Sequence, residues 1–145
     1  MKKKKIGIFF CMILVILVSS MTVCADPGAK LEIKIYGGFP ILFGMDNVGG
    51  AIGNTGDTTA HDVSFSFSVI GGFADSIHYT YEDFWGDLIP DQGIGVVTNQ
   101  VHGLGPVTIT LSATSSSADY VTETAKGFQI GSFTWVPFSW LKPDF

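Results

Sequence analysis

Apolar and polar residues alternate along much of the chain after residue 30, and this alternation predicts its strands. Because successive side chains of a strand point to opposite faces, a period of two gives one buried face and one exposed face. Phe65 and Phe67 lie in the cleanest stripe, so we expect them at the centre of the core. The stripes place their apolar side chains at Leu31, Ile33 and Ile35; at Val63, Phe65, Phe67 and Val69; at Ile77, Tyr79 and Tyr81; and at Val107, Ile109, Leu111 and Ala113.

Clusters of glycine, asparagine and proline separate these stripes at residues 54–57, 71–72, 90–93 and 103–106, and they predict turns. The pattern slips by one residue between Val96 and Val97, where a bulge beside Gly95 would restore the apolar face. It slips again at Gly131, within a last strand expected near residues 128–135. About six to eight strands at this spacing, with no helical period after residue 25, predict an all-β fold, an antiparallel β-sandwich.

The first 25 residues follow a different pattern, that of an N-terminal signal peptide. The block from Lys2 to Lys5 precedes an apolar run over residues 6–18, and a more polar segment ends at Ala25. The run fits the ~7–15 residues of a secretory h-region and is shorter than the ~20 residues of a membrane span. Val23 and Ala25 fit the small side-chain pockets of a signal peptidase. We therefore expect cleavage between Ala25 and Asp26, which removes residues 1–25.

An uncleaved leader would act as an anchor over residues 6–25, with the lysines inside the cell and the domain outside. Both possibilities predict a secreted or cell-surface protein, and its leader would contact a membrane only if it is not cleaved. Cys11 and Cys24 both lie in the leader, so no disulfide is expected in the domain.

The charge balance bears on possible partners. The chain has 13 acidic and 8 basic residues, for a net charge of -5, and every basic residue is a lysine. Arginine is the side chain best suited to bidentate phosphate binding, and a negative domain is repelled by the nucleic-acid backbone. Nucleic acid is therefore not an expected partner.

Residues Ile52, Asn54 and Gly56, followed by Ala60 and Val63, form a turn-and-strand motif. It resembles the opening of cell-adhesion-related, immunoglobulin-like domains (the CARDB type) of bacterial and archaeal surface proteins. Residues 88–93 resemble that family's turn before a later strand, and residues 105–111 resemble its penultimate strand. The resemblance implies an immunoglobulin-like sandwich over residues 26–135, displayed or secreted, with no catalytic residues to carry over.

Residues 81–91 are the densest acidic and aromatic segment, and we expect them to form a loop. Its carboxylates belong to Glu82, Asp83, Asp87 and Asp91, with Trp85 between them. Oxygen-rich loops bind calcium in extracellular sandwiches, so these four residues are candidate metal ligands, although their spacing differs from an EF-hand loop. Trp85 is a candidate ligand contact because exposed aromatic rings can stack on sugar rings. A calcium- or carbohydrate-binding module is therefore the alternative function.

No residue pattern indicates a reaction. His61, His78 and His102 are far apart in the sequence, and we expect them at the surface rather than in a zinc site. The chain has no Gly-x-Ser-x-Gly elbow, and the glycines at 71–72 and 103–105 are turn glycines without a following helix to hold phosphate. We predict that the protein is not an enzyme and uses no cofactor, calcium in the alternative function excepted.

Residues 136–145 form an aromatic C-terminal tail that contains Pro137 and Pro143. The prolines prevent a continuous helix, and the tail is too short to span a bilayer. We expect Phe138 and Trp140 to fold back on the sandwich, to contact a partner, or to lie at a membrane interface. The predicted function is a non-catalytic module for adhesion, display or envelope architecture, with other surface proteins or envelope components as partners.

Overall fold

The computed structural model describes residues 28–37, 48–98 and 100–137. The predicted leader, Phe138 and Trp140 lie outside these residues. The described chain forms eight strands and one short 3₁₀ helix, Phe73–Asp75. The strands are β1 (Leu31–Tyr36), β2 (Val48–Asn54), β3 (Ala60–Gly71), β4 (Ile77–Leu88), β5 (Gly93–Thr98), β6 (Gly103–Thr114), β7 (Val121–Gly131) and β8 (Phe133–Trp135).

The strands form two antiparallel sheets that pack face to face. One sheet has the order β1-β2-β5, and the other has the order β4-β3-β6-β7-β8. The first, second and fifth strands thus oppose the third, sixth and seventh, as in the immunoglobulin fold, and β4 extends the edge of the larger sheet. The predicted all-β, antiparallel β-sandwich is confirmed.

The core lies between the inward faces of the alternating stripes. Phe67 is fully buried at its centre, as predicted, whereas Phe65 keeps 8% of its surface exposed and lies nearer the margin. Full burial of one such side chain stabilises the fold by roughly 1.5–3 kcal/mol. The other large side chains with less than 2% exposure include Ile35, Val48, Ile52, Val63, Val69, Leu88, Ile109 and Leu111.

Close approach of the two sheets depends on glycine in β2. A Cβ atom at Gly50 would lie 2.5 Å from Leu111 Cδ2 and 2.6 Å from the Lys34 carbonyl oxygen, so no larger residue fits without a shift. Gly49 and Gly50 are both buried, although neither interrupts the ladder with β1. This strand therefore lacks the alternating stripe that marks the others.

Two local predictions are wrong. The segment expected to be a loop over residues 81–91 is strand as far as Leu88, because β4 continues along β3 through a register shift at Val63. The bulge expected near Gly95 is absent from the described β5, whose ladder with β2 is regular to Thr98. Val97 faces solvent instead, and Val101 reaches the core from the connection that follows.

The ladders give the sandwich two ends. Asn54, Ala60 and Leu88 lie together at one end, which we call the near pole, where Gly28 also lies against Gly56. The opposite end, the far pole, contains the ends of β1, β3 and β7 and the β8 hairpin. The 12 residues of β3 separate the poles by about 40 Å at ~3.3 Å per residue.

A buried polar network closes the far pole. Gln129 and Thr134 are both fully buried, and the Thr134 hydroxyl donates to Gln129 Oε1. Gln129 Nε2 donates to the carbonyl oxygens of Val101, at 3.1 Å, and Gly131, at 2.9 Å. Val136, the first residue of the predicted tail, is buried beside Gly37, so its side chain belongs to the core.

Candidate functional site

A groove runs between β4 and β5, the edge strands of the two sheets on one side of the sandwich. Its volume is about 360 Å³. Because β4 lies at an edge, the side chains on its inward face reach the groove instead of being covered by a further strand. β4 contributes Tyr79, Tyr81, Asp83 and Trp85, and β5 contributes Ile94, Val96 and Thr98, with Gln100 beyond its end.

Core rings hold the aromatic side chains of the groove in place. The Tyr81 ring lies 6.0 Å from the Phe65 ring at an interplanar angle of 57°, and the Tyr79 ring lies 6.5 Å from the Phe67 ring at 67°. Both tilted geometries are favourable for aromatic pairs. Tyr81 still exposes 42% of its surface and Trp85 exposes 54%, so both present ring surface to a ligand.

Asp83 supplies an oriented carboxylate at the same place. The Tyr81 hydroxyl donates to Asp83 Oδ2 at 2.5 Å, and the Phe84 N–H donates to Asp83 Oδ1 at 2.8 Å. These two bonds, the hydroxyl first, hold the pKa of Asp83 below its ordinary value, and the same bond raises the pKa of Tyr81. Asp83 is therefore a fixed, ionised acceptor beside the exposed ring of Tyr81.

A second depression lies on the outer face of the larger sheet. Its volume is about 490 Å³, and it shares Phe65 and Asp83 with the groove. The Ser66 hydroxyl donates to Glu82 Oε1 at 3.4 Å, and Tyr120, 65% exposed, stands beside the hydroxyls. The depression is lined by Ser64, Ser66, Ser112 and Thr114 as well as Glu82, Asp83 and Tyr120.

The four candidate metal ligands point to different places. Glu82 lines the outer depression, Asp83 lines both depressions, Asp87 pairs with His61, and Asp91 lies in the turn after β4. Among residues 28–37, 48–98 and 100–137, no group of three or more His, Cys, Asp or Glu side chains is arranged to hold a metal ion. Alternate residues of a strand face opposite sides, so Glu82 and Asp83 point apart, while Asp87 lies four residues further along β4 and Asp91 lies beyond its end.

The side chains of His61 and Asp87 are hydrogen-bonded at the near pole. His61 Nδ1 lies 2.9 Å from Asp87 Oδ2, and the Asp62 N–H donates to Asp87 Oδ1 at 3.2 Å. These hydrogen bonds, that of His61 first, lower the pKa of Asp87. The Ser115 hydroxyl donates to the backbone carbonyl oxygen of His61 and not to its imidazole ring. This serine therefore stabilises the backbone at the start of β3.

The sequence identified part of this site. Trp85 was expected to be an exposed ligand contact, and it lines the groove. The contributions of Tyr79, Thr98 and Gln100 were missed, because nothing in the sequence says that β4 and β5 become the edges of facing sheets. Tyr120 was also missed, since its neighbours on β3 and β4 are distant in sequence.

Comparison with known proteins finds no relative. No family model matches the chain, and no curated protein and no solved structure matches it significantly. Within the described residues, no helix has the length and apolar character needed to cross a membrane.

Proposed function

We propose that this protein is a non-catalytic surface module that attaches to carbohydrate through the groove between β4 and β5. The observation that carries the proposal is the combination of exposed Tyr81 and Trp85 rings with the oriented carboxylate of Asp83. Adhesion, display or envelope architecture would be the biological use of such attachment. Envelope glycans or glycosylated surface proteins are the partners that this chemistry suits.

The chemistry of a sugar ring matches both the aromatic rings and the polar groups of the groove. A pyranose presents apolar C–H faces, which stack on aromatic rings, and hydroxyls at its rim, which need hydrogen-bond partners. Ligand sites are typically concave and mostly apolar, with a few placed polar groups, and begin at about 300 Å³. The groove has this size and this composition, with Asp83, Thr98 and Gln100 as its polar groups.

The proposed location outside the cytoplasm rests on the leader pattern of residues 1–25. The resemblance of residues 52–63 to the CARDB type supports the same setting. The structure gives those residues a physical role, since Asn54 is buried in a turn between strands and Ala60 is fully buried where β3 begins. A small residue there lets the sheets approach.

Glycan-array screening of the full chain, followed by calorimetric titration with the best-binding oligosaccharide, tests the proposal. Trp85→Ala should reduce affinity by about 5- to 160-fold, because one stacked ring contributes about 1–3 kcal/mol by analogy with base stacking on aromatic residues. Trp135→Ala is the matched control, since Trp135 is also 54% exposed but lies on β8, away from the groove. Its affinity should stay within twofold of the parent.

Asp83→Asn tests the polar half of the site. It should lower the affinity for the oligosaccharide while the contribution of the stacked rings stays the same. Each titration is repeated with calcium and with a chelator. Binding that needs calcium and is lost in Asp87→Asn would favour the calcium-dependent alternative. Absence of saturable glycan binding, or equal losses in Trp85→Ala and Trp135→Ala, would rule out the groove as a carbohydrate site.

A further inference from the structure

A continuous apolar surface covers the far pole on the outer face of the larger sheet. We call it the far-pole face. It contains exposed side chains from β3, from the 3₁₀ helix, and from β6, β7 and β8. Phe73, Leu104, Ile130 and Trp135 are each more than half exposed, and Ile70 is 44% exposed. The far-pole face consists of Ile70, Phe73, Leu104, Pro106, Phe128, Ile130, Phe133 and Trp135.

Strand pairing makes this face contiguous. Leu104 pairs with Ile130, which pairs with Phe133. One step along the strands, Phe128 pairs with Trp135 on one side and with Pro106 on the other. The Phe73 ring packs edge-on against the Phe128 ring, with centroids 6.2 Å apart. An exposed apolar patch of this kind marks an interaction site more often than an isolated apolar residue does.

We propose that residues 138–145, the part of the predicted tail that follows Pro137, dock on the far-pole face. The tail contains Phe138, Trp140, Leu141 and Phe145 among eight residues, and only Lys142 and Asp144 are charged. It begins directly after Pro137, two residues from Trp135, which is itself part of the face. The exposed apolar surface and the apolar segment therefore meet at the same point of the chain.

The tail is long enough to cover the face. Eight extended residues span about 26–29 Å at ~3.3–3.6 Å each. The face extends over β3, β6, β7 and β8, which is three strand spacings of ~4.8 Å, or about 14 Å. A covalently attached segment also has an effective concentration in the millimolar range, which favours it over a free partner of equal affinity.

Three other occupants are less well supported. A bilayer is disfavoured because Gly28, through which any leader anchor would join the domain, lies at the near pole, about 40 Å away. The connection over residues 38–47 is also apolar and begins beside Val136, but strands of the smaller sheet hold it at both ends, whereas the tail is held only at one. A second copy lacks the advantage of covalent attachment.

A double-mutant cycle in the full chain tests the docking. Trp140→Ser and Ile130→Ser are made singly and together, and thermal unfolding is measured. Ile130 is exposed, so its replacement leaves the core intact; Leu104→Ser substitutes for it if it fails to fold. Trp140→Ser should lower Tm by about 4 °C in the parent and by less than about 1 °C in the Ile130→Ser background, since contacting residues are non-additive.

Two further cycles make the result specific to the tail. Val97 is an exposed apolar strand residue far from the face, so Trp140→Ser with Val97→Ser should be additive. Phe43→Ser with Ile130→Ser should also be additive, and coupling there would assign the face to residues 38–47. Sedimentation velocity should give a monomer for the full chain. Additivity of Trp140→Ser with Ile130→Ser, or a dimer that Ile130→Ser dissociates, would overturn the proposal.

Discussion

At the residue scale, Asn54 connects three segments of the near pole through one side chain. Its Oδ1 accepts hydrogen bonds from the N–H groups of Lys30, at 3.2 Å, and Gly56, at 3.1 Å. Its Nδ2 donates to the carbonyl oxygens of Thr58, at 2.8 Å, and Leu88, at 2.9 Å. The amide is 1% exposed and uses its full hydrogen-bonding capacity, so this position requires the asparagine side chain.

Asn54→Asp should therefore destabilise the domain by about 2–3 kcal/mol, because it keeps the shape of the side chain but removes the donors to the carbonyl oxygens of Thr58 and Leu88, the latter buried. Urea denaturation measures the change in the free energy of unfolding. Thr58→Ala is the control, since this exposed position keeps its backbone acceptor and should change stability by less than about 0.5 kcal/mol. Equal stability of Asn54→Asp and the parent would show that the network contributes nothing.

The pKa of Asp83 offers a second test at this scale. Because the Tyr81 hydroxyl bond lowers that pKa, Tyr81→Phe should raise it toward the ordinary value of 3.8. A carboxyl group whose pKa is lowered in the folded state stabilises the fold at pH values above its unfolded-state pKa. This stabilisation is lost as the pH falls through the folded-state pKa. Carbon-detected NMR titration of the carboxyl groups measures the shift, with Asp87 as an internal reference that should not move.

At the element scale, β4 shows how far the sequence pattern reaches. The stripe at Ile77, Tyr79 and Tyr81 predicted its first half correctly. The second half has acidic and aromatic residues on both faces, because β4 is an edge strand and neither side is fully covered. Apolar and polar residues alternate where one face of a strand is buried, so the alternation is lost where both faces are exposed to solvent.

The other elements follow the same reasoning. β3 and β6 were predictable because each lies inside the larger sheet, with one face on the core. β2 was not, since Gly49 and Gly50 contribute no side chain to a pattern although they are buried. The groove could be predicted only in part, through Asp83 and Trp85 of the segment 81–91, because the positions of its other residues depend on which strands become edges.

Phe67 provides the stability test for an element. Phe67→Ala should lower the free energy of unfolding by about 3–5 kcal/mol, because it removes a fully buried ring from the centre of β3 and leaves a cavity. Phe84→Ala removes the same side chain from a position that is 62% exposed, and its cost should be about 1 kcal/mol or less. Chemical denaturation compares the two variants, and equal losses would contradict this account of the core.

At the scale of the whole molecule, the pattern of residues 1–25 predicts a leader that would direct the protein out of the cytoplasm. Signal-peptide cleavage before Asp26 should give an N-terminus at that residue in material recovered from outside the cytoplasm. Mass spectrometry of the intact protein and of its N-terminal peptide measures this. Replacing Ala25 with a bulky residue, as in Ala25→Phe, should block processing. Recovery of the chain from the cytosol with Met1 still in place would refute export.

The arrangement of the smaller sheet has a mechanical consequence. β5 borders the groove and pairs with β2. β2 in turn pairs with β1, whose first residues follow Gly28 at the near pole. If a ligand in the groove and an anchor before Gly28 were pulled apart, tension would cross these three strands. Hydrogen bonds of an antiparallel ladder lie perpendicular to the strands, so a pull along β1 shears the bonds of all six β1–β2 residue pairs together. Such a sheet gives way as a unit and not by peeling one bond at a time.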